Sequence, residues 1–128
     1  MNKLIGILED DEGIRDILNF LLTEEGYQVE CYSTVNNFLT KKDSEPDLFI
    51  LDVMLPDGNG LEVCRLLKST PNTSNTPVIM MSAHADLQRM NSGCKAEEFV
   101  IKPFDIFALL EKIRQLLDKN PTNNIALS

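Results

Sequence analysis

Cysteine is scarce in this chain of 128 residues: only Cys31, Cys64 and Cys94, an odd number with no C-x-x-C pair. Neither a disulfide framework nor a zinc site is encoded, so reduced thiols and a cytoplasmic location are expected. Long apolar runs are missing too. The longest, Leu4 to Leu8, is five residues, against the roughly 18 that a membrane span needs. Glu9, Asp10 and Asp11 fall where the apolar region of a signal peptide would stand, so no secretory leader is expected. Positive charge is in deficit, with 12 Lys+Arg against 20 Asp+Glu and a net charge of −8. Nucleic-acid affinity comes mostly from neutralising phosphates, so direct binding to DNA or RNA is disfavoured. Anionic membrane surfaces are disfavoured for the same reason. A cation site or a basic protein partner suits the acidity.

What is present is an ordinary globular composition, 43% hydrophobic and 25% charged, in a length that fits one domain. Residues 1–119 are expected to form it, with 120–128 as a tail or linker stub. Apolar runs at 4–8, 48–51, 78–81 and 99–101 do not alternate with polar residues. Each reads as a strand buried on both faces of a parallel sheet. Residues 27–32 (YQVECY) do alternate and read as an edge strand.

Helical spacing links Ile14, Ile17, Leu18, Leu21 and Leu22, with Gly26 as the stop. Val35, Phe38 and Leu39 suggest a short helix ending before Pro46. Leu61, Val63, Cys64, Leu66 and Leu67 form a third, and Ile106, Leu109, Leu110, Ile113, Leu116 and Leu117 the last. Residues 85–95 give a weak helix signal, and 69–76 (STPNTSNT) are a loop. Five β-α repeats predict a doubly wound α/β domain.

In such a sheet, ligands bind beyond the carboxyl ends of the strands. Glu9, Asp10 and Asp11 follow the first strand, Asp52 the third, Ser82 the fourth and Lys102 the fifth. Carboxylates crowded on one rim repel one another. A hard divalent cation such as Mg²⁺ relieves this, taking one or two carboxylates and keeping its waters. An ammonium and a hydroxyl beside carboxylates and a metal make a pocket for a phosphoryl group. Asp52, ending the middle strand, is the candidate nucleophile, forming an aspartyl phosphate. Each residue alone has an ordinary explanation: helix caps for the acids, a turn for Ser82, a solvated charge for Lys102. Four strand ends bearing the right groups in order argue for the pocket.

The segments ILEDDEGIR, PDLFILDVMLPDGNGLE, PVIMMSA and FVIKPF resemble the receiver domain of two-component response regulators over about residues 2–118. The resemblance implies a flavodoxin-like (βα)5 fold with strand order 2-1-3-4-5. It implies Asp52 as phosphoacceptor, charged from a phosphohistidine on a sensor histidine kinase or histidine phosphotransfer protein. The chain would be no enzyme beyond catalysing its own phosphorylation and dephosphorylation. Asp10 matches the direct Mg²⁺ ligand, Glu9 its helper through water, and Met54 contributes a backbone carbonyl. Counting back from Arg15 sets this register and leaves Asp11 outside; Asp10–Asp11 is the competing pair. Ser82 matches the Ser/Thr switch, Phe99 the aromatic switch and Lys102 the phosphate-contacting lysine. Lys102–Pro103 matches a bond often cis in the family.

The interval from Ser82 to Lys102 is about two residues shorter than in well-known relatives, so the fourth helix is expected to be short or displaced. His84 matches a variable position near the phosphoryl group, or is simply an exposed histidine. Rival chemistries fare worse. A phosphatase with an aspartyl nucleophile wants an acid two residues on, where Met54 stands. A flavin or nucleotide module wants a glycine-rich phosphate loop in place of the acids after the first strand. A docking module that is never phosphorylated is left to experiment. Output is expected through a downstream protein target, with dimerisation on phosphorylation a further expectation. MLPDGNG also resembles receivers joined to DNA-binding domains, so the alternative reading is the N-terminal receiver fragment of a longer DNA-binding regulator.

Overall fold

A computed structural model of the chain describes residues 2–41, 44–83 and 94–118. Parallel pairing joins β1 (Leu4–Leu8), β2 (Gln28–Tyr32), β3 (Leu48–Asp52), β6 (Val78–Ser82) and β7 (Glu98–Ile101) into one sheet of order β2-β1-β3-β6-β7. That is the expected 2-1-3-4-5 winding, which runs from β1 out to the β2 edge and then reverses once across the sheet. A two-residue antiparallel ladder, β4 (Met54–Leu55) with β5 (Gly58–Asn59), sits outside it.

Helices cover both faces, which is why the inner strands carry apolar residues on both sides. Ile5, Ile7, Leu48, Ile50, Ile79 and Met81 meet α1 (Glu12–Glu24) through Leu18 and Leu22, and α4 (Ile106–Asp118) through Leu109, Ile113 and Leu117. Leu8, Phe49, Leu51, Val78 and Met80 face the other way. They meet Phe38 of α2 (Val35–Thr40) and Leu61, Val63, Cys64 and Leu67 of α3 (Gly60–Ser69).

Caps fix where the helices begin. Asp11 accepts from the Ile14 amide at 3.0 Å, and Thr34 from the Asn37 amide at 3.1 Å. Asp105 accepts from the Phe107 amide at 2.9 Å, just past the cis Lys102–Pro103 bond. Each satisfies a donor that a first helical turn leaves open. Gly26, at φ +96°, closes α1 in the left-handed region.

Some expectations need correction. The 99–101 run lies on the second edge of the sheet and is not buried on both faces: Val100 is covered but Ile101 is exposed. Ile17 and Leu66, counted in helical stripes, are exposed as well. The sheet covers a narrower arc of each helix than the stripe suggested. β3 and β6 run one residue further, to Asp52 and Ser82. The 85–95 helix lies outside the described residues except for 94 and 95, which are irregular, as does the 120–128 tail.

The β4–β5 turn fastens α2. Both Asp57 oxygens accept from the start of that helix, from the Val35 amide at 2.8 Å and the Asn36 amide at 3.0 Å. These amides hold the Asp57 carboxyl below its ordinary range, Asn36 contributing most. Such a group supports the fold above its unfolded value and loses that support as the pH falls through the folded one. Asp57→Ala should therefore speed amide hydrogen exchange at Val35 and Asn36 several-fold at neutral pH. Unchanged rates would mean the carboxylate carries nothing.

Candidate functional site

Parallel strands end on one rim, and the rim collects what each strand end carries. The Glu9 amide donates to the Tyr32 carbonyl at 3.0 Å, extending the β1–β2 ladder and drawing Glu9 fully under cover. Asp52 is the last residue of β3 and is 5% exposed. The Lys102 amide donates to the Ser82 carbonyl at 2.8 Å, so the strand pairing carries Lys102 onto the same rim. Ser82 is buried at the end of β6. Asp10 is exposed, and Met54, two residues beyond Asp52, begins β4 with an exposed side chain.

Lys102 Nζ lies 2.6 Å from Glu9 Oε1 and 3.3 Å from Asp52 Oδ1. The other Glu9 oxygen accepts from the Asp11 amide at 3.1 Å. Glu9, Asp10 and Asp52 each bring a carboxylate oxygen to within 4.8 Å of the others. Asp11 is not in this group and caps α1 instead. Between the two acid registers, the geometry gathers Glu9 and Asp10 with Asp52.

The electrostatics follow from this crowding. Burial, then the Glu9 charge, push the Asp52 carboxyl up to about 6, against a smaller downward pull from Lys102. Burial alone would lower the Lys102 ammonium, but its hydrogen bond to Glu9 and the charges of Asp52 and Glu9 outweigh that and raise it. One ammonium therefore faces three carboxylates. A small hard cation with oxygen ligands fits such a donor set, which is two carboxylates richer than its resident counter-charge.

Two features escaped the sequence reading. Arg15 Nη1 donates to the carbonyl oxygens of Glu9 at 3.0 Å and Asp10 at 2.9 Å, clamping the acidic loop from α1. Its spacing fixed the acid register, but nothing in the spacing said that its target is backbone. Gly60 is the second. A Cβ there would lie 1.9 Å from the Asp52 carbonyl oxygen, so only glycine lets α3 start against the end of β3. Phe99, in register with Met80, is half-buried against the α3 side of the sheet. His84 lies outside the described residues. No helix among the described residues is long and apolar enough to cross a membrane.

Comparison with known proteins agrees with this geometry. The profile of the response regulator receiver domain matches residues 5–114. Response regulator ArlR of Staphylococcus epidermidis is 35% identical over 122 residues, covering 93% of this chain and 54% of the relative. ArlR of Staphylococcus aureus is 37% identical with the same coverage. The chain thus spans about half the length of these curated relatives. A crystal structure of a putative response regulator from Chloroflexus aurantiacus superimposes with a TM-score of 0.85 at 25% identity, covering 93% of this chain and all of that one.

Proposed function

The chain belongs to the response regulator receiver domain family, and from that premise we propose that Asp52 accepts a phosphoryl group from a phosphohistidine on a sensor histidine kinase or phosphotransfer protein. The observation that carries this reading is Lys102 lying between buried Glu9 and Asp52, with Asp10 beside them. An Asp52 oxygen attacks phosphorus, the P–N bond breaks, and the imidazole leaves. Burial and the Glu9 charge raise the metal-free Asp52 carboxyl to about 6, which leaves it ionised at neutral pH and able to attack.

Asp10, Asp52 and the Met54 backbone carbonyl would hold Mg²⁺ directly. Glu9 already engages Lys102 and the Asp11 amide and would act through water. Bound there, Mg²⁺ neutralises the carboxylate excess and polarises a phosphoryl oxygen. Lys102 remains as a point charge for the phosphoryl oxygens. Water attack on the acyl phosphate would return Asp52 to its resting form.

Phosphorylation adds about −1.5 to −2 charge at Asp52. Ser82 and Lys102 would move to meet it, and Phe99 would turn into the space released. The altered face of the last strand and helix would then engage a downstream protein or a second copy of the chain, in the cytoplasm. A second reading, in which this receiver is the first part of a longer DNA-binding regulator, draws support from the 54% coverage of the ArlR relatives. The intact mass of the protein isolated from its own cells decides between them.

Acetyl phosphate with Mg²⁺ should add the mass of one phosphoryl group to the wild type. Asp52→Asn should gain none, and chelation should prevent the gain. In the same preparation, beryllofluoride should shift the amide resonances of Ser82 and Phe99. Uptake by Asp52→Asn would move the acceptor elsewhere. No uptake by the wild type would leave a docking module that is not phosphorylated.

A further inference from the structure

Away from the acidic rim, two of the chain's three cysteines meet inside the core. Cys64 sits in α3 facing the sheet, and Cys94 arrives in the irregular run before β7. Both are buried in the same apolar cluster as Val78 and Met80. The two Sγ atoms lie 2.6 Å apart, nearer to the about 2.05 Å of a disulfide bond than to an ordinary thiol contact. Thiol pairs in a core have two common chemistries, metal ligation and disulfide formation. The first lacks ligands, since the one group of three metal-binding side chains among the described residues is Glu9, Asp10 and Asp52.

We propose that Cys64 and Cys94 form a redox-convertible cross-link that ties α3 to the run entering β7. The oxidant is a low-molecular-weight disulfide. One cysteine thiolate attacks it, forming a mixed disulfide and releasing a small thiol. The second cysteine displaces the other small thiol as the Sγ–Sγ bond closes. One S–S bond breaks, one forms, and the two cysteine protons end on the two small thiols.

Access sets the rate. Burial, then the hydrogen bond to Cys94, push the Cys64 thiol up to about 12. Reaction therefore waits for local opening of the 94–97 run or of α3, and is slow while the fold is closed. Exposed Cys31 reacts first but has no partner at hand: among the described residues it is a free thiol on the β2 edge. Once formed, the cross-link holds residues 94–97, whose Glu97 also pairs with Lys68 at 2.9 Å and accepts from the Val78 amide at 2.7 Å.

The test equilibrates the folded 128-residue chain with oxidised and reduced glutathione, followed by acid quench and peptide mapping without reductant. The expected result is loss of two hydrogens in mass, a Cys64–Cys94 linked peptide, and full reversal by dithiothreitol. Closing a loop across 30 positions should also raise Tm by several degrees. Cys31→Ala should retain both effects, whereas Cys64→Ala and Cys94→Ala should lose both. In urea the preference should vanish, with Cys31 linked as often as the others. Glutathione stably attached to Cys64 or Cys94, or both thiols persisting under oxidising buffer while Cys31 is modified, overturns the proposal. These readouts do not involve phosphorylation, so the phosphoacceptor reading can fail without touching them.

Discussion

Replacing Gly60 with alanine is expected to cost the fold about 3 kcal/mol or more, placing it among the most damaging single-methyl changes available here. The added carbon would lie 1.9 Å from the Asp52 carbonyl oxygen and 2.8 Å from its carbon, and backbone cannot rotate out of the way as a side chain can. Relief requires moving the first turn of α3, which breaks the 2.8 Å hydrogen bond from the Gly60 amide to the Val53 carbonyl, or moving the end of β3. The second route displaces Asp52 itself. Denaturant titration should show a lowered midpoint, and phosphoryl uptake should slow even in the fraction that stays folded. Gly26→Ala is the comparison. Its φ of +96° strains an alanine, but nothing lies within 4 Å of the added carbon, so a loss of about 1 kcal/mol is expected. If Gly60→Ala costs no more than Gly26→Ala, the close approach of α3 to β3 is wrong.

The second large effect runs the other way: Asp52→Asn should stabilise the metal-free protein at neutral pH by about 2–3 kcal/mol. The carboxyl is raised from 3.8 to about 6, and each unit is worth about 1.4 kcal/mol. For an acid raised by folding, the native state binds more protons than the unfolded chain between those two values. Stability therefore falls as the pH rises from 3.8 to about 6 and stays depressed above. Asparagine carries no such penalty. The difference between variant and wild type, measured in chelator by thermal or urea unfolding, should be full above about pH 6.5 and shrink toward pH 4. Adding Mg²⁺ at neutral pH should narrow it, because a cation that binds only the folded wild type stabilises it by mass action. A wild type as stable as the variant in chelator at neutral pH would mean that Asp52 is not strained by its neighbours.

The sheet was legible because parallel strands buried on both faces read as short continuous apolar runs, and those at 4–8, 48–51 and 78–81 needed at most one residue added at an end. The rim was legible for a related reason: whatever follows such a run must stand at its carboxyl edge, which brought Glu9, Asp10, Asp52, Ser82 and Lys102 together. Features that depend on distant partners were not legible. The apolar pattern around Ile101 looked like that of an inner strand, and only the strand order implied by the family resemblance put it on an edge. The Asp57 staple rests on ladders of two residues, too short for any periodicity. Cys64 and Cys94 lie 30 positions apart, and Cys94 belongs to no periodic stripe.

Glu9 and Lys102 are separated by 93 positions yet share the shortest of the pocket's ion pairs. A growing chain that has reached β6 already carries its crowded acids but not the cation that tempers them. The final strand therefore brings electrical relief along with its own apolar burial, and its docking should be more cooperative than that of an ordinary edge strand. Chemical competence would then appear late and all at once, and any lesion that loosens β7 would silence the pocket before the rest of the molecule shows damage.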